Sequence, residues 1–109
     1  MPSSLGLALA LTLLISGCTS LGATRAFHNG TEALERGEAE RAVAELERAA
    51  ALVPDSSAVQ NHLGIAYEAS DRPEDARRAY ERAVALSCEN EAAQSNLRAI
   101  RARAPDSDP

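Results

Sequence analysis

From about residue 23 to residue 103, apolar and polar positions follow a helical period, and turn residues cut the pattern into five stretches. The first is predicted to begin near Ala23 or Thr24 and to run to about Arg36, where Gly37 supplies a C-terminal cap. The second, about Ala39 to Leu52, turns Ala42, Val43, Leu46, Ala49 and Ala50 inward, and Pro54 cannot continue it. Ser56 is the expected N-cap of a third helix, Ser57 to Ala69, with Val59, Leu63, Ala66 and Tyr67 on its apolar face. Asp71-Arg72-Pro73 is a turn, with Pro73 near the first helical position. The fourth helix, Pro73 to Leu86, is expected to bury Ala76, Ala79, Tyr80, Ala83 and Val84, and Asn90 is expected to cap a fifth over 91–103. Residues 104–109 are polar, with two Pro and two Asp, and predict a disordered tail.

The pattern repeats at a spacing of 34: Gly64 falls on Gly30, Ala76 on Ala42, Ala83 on Ala49, and Tyr80 on the large apolar Leu46. A mid-helix Gly costs about 1 kcal/mol relative to Ala, so its recurrence predicts a place where the paired helix comes too close for a Cβ. Leu63-Gly64, Tyr67, Ala76, Tyr80 and Ala83 stand in the order and spacing of a tetratricopeptide unit, whose period is about 34 residues. Residues 23–56 and 57–90 therefore resemble two tetratricopeptide repeats. The first departs from the family pattern at Ala26, Asn29 and Ala33, and the second carries Cys88 where the first has Pro54. The resemblance implies an all-α, antiparallel helix-turn-helix solenoid of two repeats, and 91–103 is then a C-terminal capping helix. There Arg98 stands where Gly64 stands, and Arg101 and Arg103 follow.

The resemblance also implies a binding groove lined by first-helix residues. Carried onto this chain these are Thr24, Phe27, His28, Thr31 and Leu34, then Ala58, Asn61, His62, Ile65 and Glu68. Phe27, Asn61 and Ile65 occupy the places of the cations with which some family members clamp a terminal carboxylate, so that mode is not expected. A mixed apolar and polar groove suits an extended or helical segment of a protein partner.

The chain begins differently. Leu5 to Ile15 is an unbroken apolar run but for one Thr, shorter than the roughly 20 residues that span a bilayer. It has the length of a signal peptide, and Ile15-Ser16-Gly17-Cys18 looks like a bacterial lipobox. The likeness implies removal of residues 1–17, acylation of Cys18, and a short tether over 18–22. An ordinary secretory signal or an uncleaved short anchor would share the apolar run, and the segment before it has no Lys or Arg. Thr19, by the same resemblance, implies the outer membrane, with the chain facing the periplasm.

Composition narrows the rest. Sixteen acids against 11 basic residues, all Arg, give a net charge of −5, which disfavours nucleic acid. Glu32–Arg36 and Glu74–Arg78 read as surface pairs worth a few tenths of a kcal/mol each. His28 and His62 are also 34 apart, but two His are too few for a closed zinc site. No metal or other cofactor is expected. Cys88 has no acid-base partner spacing; an odd Cys in an exported chain suggests an intermolecular bond or a free thiol, and the preferred reading is a small buried residue at a helix end. The expected function is a membrane-anchored adaptor that binds a protein or peptide, not an enzyme. The alternative is a homo-oligomeric structural subunit of an envelope assembly. With no repeat before it, the first helix is expected to leave Ala26 and Ala33 uncovered and to press Phe27 against a second copy or a partner.

Overall fold

The computed structural model describes residues 20–103, and the expectations for the apolar leader, Cys18 and the tail lie outside them. The described residues form five helices: α1 over 20–35, α2 Ala39–Leu52, α3 Ser57–Ala69, α4 Pro73–Leu86 and α5 Glu91–Arg103. Among them there is no strand, and no helix is long and apolar enough to cross a membrane. Helix α1 is already formed at Ser20, three residues before the expected start. No Pro lies between Ser20 and Ala23, Thr24 Oγ1 donates to Ser20 O at 3.0 Å, and Gly22, a weak helix former, lies close to Leu52 of α2.

The helix ends follow local chemistry. Ser56 Oγ accepts from Val59 N–H at 3.3 Å and Asn90 Oδ1 from Ala93 N–H at 3.1 Å, so both expected N-caps form. Gly37, at φ 73°, ends α1: its N–H donates to Leu34 O and the next N–H, of Glu38, to Ala33 O. The same motif ends α3, where Asp71 takes the left-handed conformation at φ 57° and Arg72 N–H donates to Tyr67 O. Asp71 is 34 residues after Gly37, an equivalence that the repeat register held and the turn reading passed over.

Each antiparallel pair closes on a glycine. A Cβ at Gly30 would lie 2.5 Å from Leu46 Cγ, and one at Gly64 would lie 2.6 Å from Tyr80 Cδ1, against the ring edge. Leu46 and Tyr80 are fully buried, so either would have to shift within the core to make room. The expectation of a close helix approach is met at both sites. Ala50 and Val84, expected inside, are only half-buried.

Ala26 and Ala33 are each 1% exposed, which overturns the expectation that they lie uncovered. They face inward, Ala26 onto Ala49 and Val59 and Ala33 into the cluster around Leu46 and Leu63. The face of the first repeat that corresponds to the stacking face of the second is polar instead. Val59, Leu63, Ala66 and Ala79 pack the second repeat onto the first. The residues 34 earlier are Arg25, Asn29, Glu32 and Glu45. A terminal repeat stays soluble when its outer face is polar, and the same logic applies to exposed Arg98 at the far end.

Candidate functional site

Helices α1, α3 and α5 stand side by side as the first helices of successive units, and three of their side-chain contacts share one spacing. The Phe27 ring meets His62 edge-on, with centroids 4.9 Å apart and planes at 78°. Asn96 Nδ2 donates to Asn61 Oδ1 at 3.0 Å, and Arg103 pairs with Glu68. Each pair is 35 residues apart, one more than the repeat. Successive residues point about 100° apart around a helix, so position i meets the next helix through the neighbour of its own equivalent.

This geometry divides the expected groove residues into two groups. Asn61 is 5% exposed, and Ile65 packs beside Leu97 and Ile100 of α5. Glu68 accepts from the Tyr80 hydroxyl as well as from Arg103. These three therefore help to hold α5 on the repeat pair, and Glu68 also lines a smaller cleft of ≈ 260 Å³ with Asp71, Pro73, Ile100 and Arg103. Leu34 is half-buried against the central core. His28 is exposed and reaches to 4.0 Å from Glu32, while Thr31 donates its hydroxyl to His28 O. His62 is held by its own helix, Nδ1 lying 2.9 Å from Ala58 O. Phe27 is half-buried by its own chain, packed against the clusters around Leu46 and Val59, and the rest of its surface stays open.

Burial pushes the Tyr80 phenol above its ordinary value of 10.0; the hydrogen bond to Glu68 and that carboxylate's charge act the same way, and Arg103 opposes them. Below the unfolded-state value both folded and unfolded chains hold the proton, so this contribution to stability is complete. Above it only the unfolded chain ionises, and stability should fall by about 1.4 kcal/mol per pH unit. Burial and Glu47 raise Tyr67 as well and steepen the same limb. Urea melts from about pH 9 to about pH 11 should show the fall, and Tyr80→Phe should flatten it. An unchanged slope in that variant would assign the titration to other groups.

The open part of the site lies where α1 and α3 both begin. A cleft of ≈ 340 Å³ separates them. Helix α1 supplies Ser20, Ala23, Thr24 and Phe27, the α2–α3 turn supplies Val53, Asp55 and Ser56, and α3 supplies Ala58 and Val59. Thr24, Phe27 and Ala58 were among the groove positions carried over from the family; Ser20, Ala23 and the turn residues were not. A turn residue reaches a cleft between neighbouring first helices only once the repeats have stacked, which no local pattern announces.

Arg36 pairs with Glu32 at 2.6 Å as expected, whereas Arg78 turns from Glu74 to Asp75, at 2.5 Å. Asp75 also takes Arg72, and these two guanidinium groups, Arg78 first, hold its carboxyl below the usual range. Cys88 is exposed, contrary to expectation. It sits in the α4–α5 turn, the place of the equally exposed Pro54, where the chain has already left the packed face. Among the described residues no group of three or more His, Cys, Asp or Glu could hold a metal ion.

No curated protein matches the chain. The sequence profile of one family does, over residues 33–99, which is more than half of the 109. That span carries most of α2 to α5 and both the Gly64–Tyr80 contact and the seat of α5, so the paired-helix geometry and the profile agree. The chain belongs to the tetratricopeptide repeat family.

Proposed function

We propose that this chain is a protein-interaction adaptor held on a membrane by acyl groups on Cys18. The observation that carries the adaptor reading is the cleft between α1 and α3: it is open, its floor is apolar, and no side chain of the stacked repeats fills it. A mixed apolar and polar cleft between helices suits a short segment of another protein. The polar end faces at Arg25, Asn29, Glu32 and Glu45 and at Arg98 disfavour growth by stacking of further copies. An adaptor is thus favoured over a homo-oligomeric structural subunit. The anchor rests on Ile15-Ser16-Gly17-Cys18 behind an apolar run, since several acyl chains hold where one does not. The likeness to a lipobox, with Thr19 after the Cys, favours the periplasmic face of an outer membrane.

Two measurements test this. Cys18→Ser should move the protein from the detergent-extracted membrane fraction to the soluble or unprocessed pool; a cleaved variant still held on the membrane would sink the anchor. A photo-crosslinking residue at exposed His28, in intact cells, should give discrete protein adducts. An absence of any adduct would count against an adaptor.

A further inference from the structure

The position of the cleft says more than its shape. Ser20 forms part of its wall, and Cys18 precedes Ser20 by two residues. Two residues span at most about 7 Å. If Cys18 is acylated, the cleft must lie against the bilayer surface, because the early start of α1 leaves almost no tether to lift it.

We propose that the cleft receives an apolar juxtamembrane segment of a second membrane-bound protein. The proposal rests on the Cys18 anchor argued above and names the partner class for the same adaptor site. Three observations support it. At ≈ 340 Å³ the cleft is small, near the low end of the roughly 300–1,000 Å³ of ligand sites. It has room for a few side chains, so affinity for a freely diffusing peptide is weak. Confinement to one bilayer, like a tether, raises the effective concentration of a partner, and such a contact then fills. The chemistry agrees: Ala23, Phe27, Val53 and Val59 offer apolar surface, and Asp55 at the rim fits a Lys or Arg flanking the inserted side chain. A second copy is a poor occupant of the neighbouring end face, where Arg25 and Glu32 replace Val59 and Ala66 of the stacking face.

The test uses the full-length chain in its own membrane with a photo-crosslinking residue at Ala58, which is exposed and lines the cleft. Three backgrounds are compared: the parent; a Gly/Ser linker of about 20 residues, with a reach of about 25 Å, inserted between Thr19 and Ser20; and Thr24→Arg, which blocks the cleft from its rim. All three should remain in the membrane fraction. The parent should crosslink to an integral or lipidated protein, and the yield should fall by about fivefold or more in the other two. Equal yields in parent and linker variant, adducts with a soluble protein or with lipid, or no adduct at Ala58 would each overturn the proposal. Adducts at His28 without any at Ala58 would overturn it and leave the adaptor reading standing. A parent chain found in the soluble fraction would remove the anchor, and the proposal with it.

Discussion

Tyr80→Ala should lower the unfolding free energy by about 3–5 kcal/mol, the usual range for deleting a buried aromatic ring. The ring is fully buried, fills the space beneath Gly64, and lies in the cluster that joins Ala76 to Leu97 and Ile100. Its hydroxyl also donates to Glu68, which Arg103 of α5 grips from the other side. The loss should therefore loosen α5 as well as the α3–α4 pair. A core of this size rarely supplies more than about 3–5 kcal/mol, so the variant should be largely unfolded at 25 °C. Tyr80→Leu, which copies Leu46 of the first repeat, should stay folded and lose less. Gly64→Ala supplies the control. With Tyr80 present, its Cβ meets the ring, and overpacking should cost about 1–3 kcal/mol. With Tyr80→Leu the same change should cost less, because a Leu side chain has rotamers with which to yield and Ala gains about 1 kcal/mol of helix propensity over Gly. Urea melts of the four chains give the coupling; strictly additive effects would show that the two residues do not touch.

Ala76→Glu should be at least as damaging. Ala76 is completely buried against Tyr80, Leu97 and Ile100, with no cation in that cluster to receive a carboxylate. A charge there must either be desolvated without a partner or take up a proton, and the side chain has no room in either form. The expected cost is about 4 kcal/mol or more, so circular dichroism should report an unfolded chain near neutral pH. Ala44→Glu, at an exposed position of α2, should remain folded and shows that the damage comes from the site, not the residue type. A folded Ala76→Glu with an unchanged melting midpoint would refute the packing described for α4 and α5.

The sequence by itself determined the elements and their pairing. A 34-residue register, Gly at 30 and 64, large apolar residues at 46 and 80, and caps at Ser56 and Asn90 are local signals, each with a local physical meaning. They sufficed for five helices, the antiparallel pairs and the close approach at each glycine. Helix starts were less legible: Gly22 reads as part of a tether, yet the helix runs through it, where it lies close to Leu52. Tertiary structure alone decided what the side chains between units do. Whether Asn61 and Glu68 face a ligand or a neighbouring helix depends on where α5 lies, and α5 is fastened through pairs 35 residues apart. Phe27 was legible as a large apolar residue on the first helix, but its partner His62 became visible only when α1 and α3 stood side by side. Ala26 and Ala33 were misjudged because a helical period says which residues share a face and not which way that face is turned. That direction is set by stacking: it buries the two alanines and puts polar Arg25, Asn29, Glu32 and Glu45 at the positions equivalent to the stacking face of the second repeat.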